Sequence, residues 1–229
     1  MNIAEAHEAY NTGDYKSAFE IYKAISESGN ADAITSLGFM YQNAQGCEKN
    51  ELKALECYEN ASAKKQPLAL FNLASLYSAG SGGVEQNFEK SHELFLEAAV
   101  REVPQAQYEV AVMFESGIGC EENLSEASFW YEEAAKRGHA EAFNNLGVLY
   151  KDGHGVEVNN QKAFICFERA ANMNVASAQY NLGLLYDQGL GVDADHEKSL
   201  EWCRKASFNG HEKAKMIMSG LQDAGTLVF

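Results

Sequence analysis

The sequence contains only two prolines and eighteen basic residues in 229 positions, and no long apolar run. Because proline breaks helices, its scarcity permits a largely helical chain. Thirty-three acidic residues leave a net charge of −15, which argues against nucleic acid or an anionic membrane as partner. No stretch approaches the ~18 apolar residues of a membrane-spanning helix. The acidic surplus permits a basic partner, but it is also typical of charge that keeps a protein soluble.

The amino-terminal residues and the cysteines both bear on the cellular compartment. Residues 1–8 are acidic and lack the apolar core of a signal peptide. The five cysteines are an odd number and do not recur as pairs at one spacing, so we expect reduced thiols packed as small apolar side chains. We therefore expect a cytoplasmic protein, or a secreted or periplasmic one if a signal peptide has been removed.

An apolar residue recurs every 36 or 37 residues, and the pattern around it recurs with it. Alanine stands four residues before this anchor, a small residue stands directly after it, and an aromatic residue stands four after it. The anchors are Leu37, Leu73, Val110, Leu146 and Leu182. Self-similarity at a fixed period predicts a solenoid, whose repeats bury their apolar faces against their neighbours. Such a stack offers a long surface more readily than a closed catalytic pocket.

Each repeat is predicted to form two antiparallel helices joined by a glycine-rich turn. The first helices are predicted over 31–43, 67–79, 104–116, 140–152 and 176–188. The second helices are expected to begin after the N-cap residues Asn50, Asn87, Asn123, Asn159 and Asp195. They are expected to close at left-handed residues such as Gly138. Lys65 and Glu102 stand at that position in two repeats, where we expect the following prolines to end the helix instead.

These patterns predict an all-α solenoid of about thirteen helices. Residues 1–29 are expected to form a capping hairpin, residues 30–210 five repeats, and residues 211–229 a capping helix and tail. The last residues, 226–229, are expected to pack on the last helix, or to serve as a strand-like ligand for another domain.

The string of residues 178–192, followed by Glu197, Lys198, Ser199 and Trp202, resembles the Sel-one-like repeat (SLR). This unit is similar to the tetratricopeptide repeat but has a longer internal loop. The resemblance implies a right-handed superhelix whose first helices line a concave face, and work as an adaptor or scaffold. Two repeats depart from the pattern, through the additional Gly83 and through Ala44 in place of a loop glycine. Cysteine-rich relatives described as β-lactamase-like carry a cysteine pair in every repeat, which this chain lacks.

A helical wheel indicates a second stripe on the first helices, about 180° from the core face. This stripe carries aromatic and aliphatic residues with a mostly acidic border, where a purely structural helix would be polar. The candidate partner-binding residues are Phe39, Phe71, Tyr108, Val112, Glu115, Asn144, Val148, Tyr180, Leu184 and Asp187. The alternative is that successive first helices pack side by side and bury part of this stripe.

The sequence therefore favours a non-enzymatic, monomeric scaffold that binds a protein or peptide with basic and apolar residues. The histidines form no spaced ligand pair, so we expect no metal, cofactor or catalytic residue. A narrower alternative is an immunity or inhibitor protein that masks a basic toxin. A hydrolase is a third alternative, disfavoured by the absence of paired cysteines.

Overall fold

The computed structural model describes residues 2–223, and within them the chain forms thirteen helices and no strand. The predicted bounds of all five first helices are confirmed. The tail at 226–229 lies outside the described residues. The helices are α1 Ile3–Asn11, α2 Tyr15–Ser26, α3 Ala31–Asn43, α4 Glu51–Ala63, α5 Pro67–Ala79, α6 Phe88–Val100, α7 Pro104–Ser116, α8 Leu124–Lys136, α9 Ala140–Asp152, α10 Asn160–Asn172, α11 Ala176–Gln188, α12 His196–Phe208 and α13 Glu212–Asp223.

The chain divides into two compact units, Met1–Glu122 and Asn123–Phe229. In unit 1, each helix from α1 to α7 packs against the next helix of the chain. In unit 2, the same holds from α8 to α13. Within each unit, every helix therefore buries its apolar face against its sequence neighbours, as expected for stacked helix pairs. Among residues 2–223, no helix combines the length and apolar composition that a membrane crossing requires.

Small residues after the anchors allow the two helices of a repeat to approach closely. At Gly147 in α9, a methyl group would lie 2.7 Å from the buried ring of Phe167 in α10. At Gly38 in α3, it would lie 2.9 Å from the ring of Tyr58 in α4. Because real methyl groups essentially never come that close, these glycines let the aromatic rings fill the space between the helices.

The second glycine of the loop has a role that turn chemistry alone did not predict. A methyl group at Gly191 would lie 2.2 Å from the carbonyl oxygen of Asn160, the first residue of the preceding second helix, α10. The same backbone approach joins Gly46 to Tyr15, Gly119 to Phe88, and Gly155 to Leu124. This glycine therefore permits close packing between neighbouring repeats as well as a positive φ.

The predicted N-caps are confirmed, whereas one expected helix ending is wrong. The side chain of Asn159 accepts the N–H of Lys162 at 2.9 Å, and the other four caps accept in the same way. However, Lys65 and Glu102 adopt left-handed φ angles of 62° and 64°. The following prolines therefore do not replace the left-handed residue. The turn between repeats requires it even where no glycine is present.

The five cysteines form no disulfide, and Cys166 and Cys203 are buried. Burial raises the pKa of every cysteine thiol, and it raises those of Cys57 and Cys166 to about 11. The thiols are therefore protonated near neutral pH, as expected of small apolar side chains.

Candidate binding surface on the first helices

Unit 1 contains an open pocket of about 440 Å³ between four first helices and the second helix of the amino-terminal hairpin. The helices α1, α2, α3, α5 and α7 all contribute to it. The lining residues are Tyr10, Tyr22, Thr35, Ser36, Phe39, Leu68, Phe71, Asn72 and Gln105. We call this site the aromatic pocket. Its size falls in the range typical of ligand-binding clefts, roughly 300–1,000 Å³.

The apolar walls of the aromatic pocket are both exposed and firmly supported. Phe39 is 41% exposed and Leu68 is 52% exposed, so these side chains offer apolar surface to solvent. The ring of Phe71 packs at 5.4 Å from the ring of Phe95 in α6, which is buried. Phe71 is thus held from behind, and the pocket has a preformed wall against which an apolar group can pack.

Most polar groups of the aromatic pocket already have partners inside the protein. The hydroxyl of Tyr10 donates to Gln45 Oε1 at 2.9 Å, and that of Thr35 donates to the Ala31 carbonyl at 2.8 Å. Burial raises the pKa of Tyr22 and outweighs the opposing effect of the Ser36 hydroxyl, so the Tyr22 hydroxyl stays neutral.

Two side-chain amides of the pocket differ from these hydroxyls. Within residues 2–223, the amides of Asn72 and Gln105 have no hydrogen-bond partner, so both remain available to a ligand. None of the nine lining residues is charged, so the pocket itself offers no counter-charge to a basic ligand.

Unit 2 contains a smaller pocket of about 220 Å³ between α11, α12 and α13. The predicted residues Tyr180, Leu184 and Asp187 contribute to its lining. Asp187 Oδ1 lies 3.2 Å from His196 Nδ1, and the ring of Tyr180 stacks on His211 at 4.3 Å between centroids. Tyr180 therefore also packs within unit 2, which agrees with the alternative that packing inside the protein buries part of the stripe.

The ten predicted binding residues thus fall into different environments. Phe39 and Phe71 line the aromatic pocket, and three others line the pocket in unit 2. Asn144 Oδ1 accepts a hydrogen bond from Asn181 at 3.1 Å, and Val148 packs against the core of unit 2. Tyr108, Val112 and Glu115 are half-buried on α7 and line neither pocket.

Several lining residues of the aromatic pocket were not predicted. Leu68 stands five residues before its anchor, at the border of the stripe, where Asp32 and Gln105 stand in other repeats. The signal for Leu68 was therefore present in the register. Tyr10 and Tyr22 lie in the amino-terminal hairpin. Tyr22 stands 36 residues before Tyr58 and therefore keeps the register of the second helices, but the pattern of the first helices does not extend to Tyr10.

The Sel1 repeat family model matches residues 31–65, 67–99, 104–139, 140–175 and 176–211. Together these segments cover most of the chain. The chain belongs to the Sel1 repeat family. The crystal structure of a Sel1 repeat protein from Oxalobacter formigenes is 30% identical, with a TM-score of 0.86, over 96% of this chain and 89% of that one. The predicted all-α solenoid of helix pairs is thereby confirmed.

Several curated relatives of this Sel1 repeat protein carry the names of regulators. The chitin synthase regulator SKT5 of Saccharomyces cerevisiae is 30% identical over 52% of this chain and 17% of its own length. An exopolysaccharide production negative regulator of Rhizobium meliloti is 31% identical over 53% of this chain and 50% of its own. The chain therefore spans at most about half the length of these relatives.

Proposed function

We propose that this Sel1 repeat protein is a non-enzymatic scaffold that binds a protein partner through the aromatic pocket of unit 1. The observation that carries the proposal is the open apolar pocket formed by five helices, with Phe39 and Leu68 exposed at 41% and 52%. Exposed apolar side chains around a preformed cleft are typical of sites that anchor a partner. The regulator names of the relatives agree with a role in controlling other proteins.

The cysteine chemistry supports the non-enzymatic part of the proposal. A nucleophilic cysteine requires a thiolate, which a lowered pKa provides. Here burial shifts the thiol pKa of all five cysteines in the opposite direction.

Affinity purification with a paired control tests the pocket. The test variant combines Phe39→Asp with Leu68→Asp, which places two charges in the pocket without touching the core. The control is Phe129→Asp, a substitution of a side chain that is 52% exposed on α8, outside the pocket. We expect the proteins that co-purify with the wild type to co-purify with the control variant as well, but not with the test variant. Recovery of the same partners by all three proteins would refute the pocket assignment.

A second candidate, the masking of a basic enzyme such as a toxin, is favoured by one specific pattern. Each repeat carries an exposed carboxylate eleven or twelve residues after its anchor, and none has an ion-pair partner among the described residues. These acids are Glu48, Glu85, Glu121, Glu157 and Asp193. A basic partner held by them would dissociate as salt screens the charges.

Salt and charge removal separate the two candidates. Substituting the five acids by their amides is expected to release a partner held by charge, and so is raising the salt to about 0.5 M. A partner held by the aromatic pocket should survive both changes. A basic enzyme that remains bound after the amide substitutions would contradict the masking role.

A further inference from the structure

We infer that the aromatic pocket recognises an uncharged peptide segment, with an apolar side chain inside the pocket and a peptide group bound by Asn72 and Gln105. This inference rests on the proposed function and specifies the class of its partner. It departs from the expectation that the partner's basic residues bind along the first helices.

The first argument comes from comparing equivalent positions in the two units. Asn72, Asn145 and Asn181 all stand one residue before their anchors, on the same face of their helices. In unit 2, Asn145 donates to the hydroxyl of Tyr131 at 3.0 Å, and Asn181 donates to Asn144 Oδ1 at 3.1 Å. Both amides in unit 2 are therefore engaged within the protein. Asn72 has no such hydrogen bond among the described residues, and it lines the aromatic pocket.

The second argument is the match between a primary amide and a peptide group. The side chain of Asn72 offers an N–H donor and a carbonyl acceptor, which complement the C=O and N–H of a peptide backbone. Gln105 on α7 provides a second amide at the same pocket. An amide that loses water on binding must regain a hydrogen bond, since a desolvated amide without a partner weakens binding. A purely apolar ligand would leave both amides unsatisfied, whereas a peptide would pair with them.

The third argument is charge. A charged side chain entering the pocket would lose hydration without meeting an opposite charge, because all nine lining residues are neutral. Glu109 stands one turn beyond Gln105 on α7, but it lies outside the lining, and burial raises the pKa of its carboxyl. The aromatic walls and the exposed Leu68 suit an aliphatic or aromatic side chain. The volume of about 440 Å³ leaves room for the adjoining peptide groups.

A library of random twelve-residue peptides displayed on phage, selected against the full chain, tests the inference directly. We expect the enriched peptides to share an aliphatic or aromatic anchor residue, with no charged residue selected beside it. The most enriched sequence is then synthesised with a fluorophore, and its affinity is measured by polarisation. Replacing Asn72 by Leu, which keeps the branching at Cγ and removes the amide, is expected to weaken binding roughly tenfold.

Two controls accompany this measurement. Asn181→Leu removes the equivalent amide in unit 2 and should leave the affinity within about twofold, because it does not line the aromatic pocket. Glu109→Gln should also leave it unchanged. Thermal unfolding of each variant shows that the fold is retained.

Three outcomes would overturn the inference: enrichment of Lys or Arg at the anchor, unchanged affinity of Asn72→Leu, or no enriched peptide. None of these refutes the proposed scaffold function. That function fails only if the partners recovered by affinity purification persist after Phe39→Asp with Leu68→Asp.

Discussion

The ammonium group of Lys90 donates a hydrogen bond of 2.8 Å to the hydroxyl of Tyr77 and lies 4.3 Å from the centre of its ring. Lys90 is in the first turn of α6, and Tyr77 is in the last turn of α5, so the pair ties together the two helices of one repeat. The same pairing recurs between Lys53 and Tyr41, Lys162 and Tyr150, and Lys198 and Tyr186. Four of the five repeats therefore carry a cation–π contact beside the loop, and the third has Phe114 and Glu126 at these positions.

The contribution of this contact can be measured at Lys162 and Tyr150. In a double-mutant cycle with Lys162→Met and Tyr150→Leu, we expect a coupling of about 0.5–1 kcal/mol in the free energy of urea unfolding. A cycle between Lys162 and Trp202, whose cationic neighbour is Lys205, should show additive effects. Equal coupling in both cycles would contradict a specific pairwise contact.

The second loop glycine should be much less tolerant of alanine than a glycine needed only for its φ angle. Gly191 and Gly138 have φ angles of 73° and 87°, but a methyl group at Gly138 meets nothing within 4 Å. We expect Gly138→Ala to lower the free energy of unfolding by about 1–2 kcal/mol, the strain of a left-handed alanine. Gly191→Ala should lower it by about 1–3 kcal/mol more, because the methyl group would collide with the Asn160 carbonyl. Equal losses in urea unfolding would show that the backbone approach is unimportant.

Stability should decrease as the pH falls below about 6.5, because two histidines act as N-caps. His139 Nδ1 accepts the N–H of Ala142 at 3.3 Å, and His211 Nδ1 accepts that of Ala214 at 3.3 Å. Burial lowers the pKa of both imidazoles, although Glu141 and Glu212 oppose the shift. At pH values between the folded-state and unfolded-state pKa values, the unfolded chain binds more protons than the folded one. The contribution of these histidines to the free energy of unfolding is therefore fully present above pH 6.5. It is lost as the pH falls from 6.5 through their lower folded-state pKa values.

Asparagine at both positions would keep the caps and remove their titration. Asn30 already caps α3 in this way, accepting the N–H of Ala33 at 2.9 Å. We expect the melting temperature of the His139→Asn, His211→Asn variant to fall less between pH 7 and pH 5 than that of the wild type. Some dependence should remain, since burial also lowers the pKa of His92. If the melting temperatures of the two proteins changed equally with pH, the histidine caps would be ruled out as the source of the pH dependence.

Cys166 should react slowly with alkylating reagents while the protein is folded. The residue is 8% exposed, and burial raises its thiol pKa to about 11, so both access and thiolate population are low. We expect iodoacetamide at pH 8 to modify Cys166 at least about tenfold faster in urea than in buffer. Peptide mass spectrometry identifies the site. Similar rates in both conditions would indicate a more accessible thiol than the structure shows.

The periodic part of the chain was predictable because one repeat informs the others. Anchors in register placed the first helices, and Asn or Asp at a fixed spacing placed the N-caps of the second helices. The expected proline stop at Lys65 and Glu102 was wrong because the connection between repeats requires a left-handed residue, whichever side chain stands there. The helical wheel also placed Phe39 and Phe71 on an accessible face, and both line the aromatic pocket.

The sequence by itself determined the repeat, its helix pairs and the residue types of their buried faces, since these follow from local spacing. Only the tertiary structure decided which side chains form a pocket. Tyr10 and Tyr22 join Phe39 and Leu68 across helices that are distant in the chain. It also decided that Asn72 stays available while Asn145 and Asn181, at the same position, are engaged. The physical reason is that the hydrogen bonding and exposure of a side chain depend on the residues that surround it in space. A repeat makes positions in the sequence equivalent, but the residues around those positions still differ.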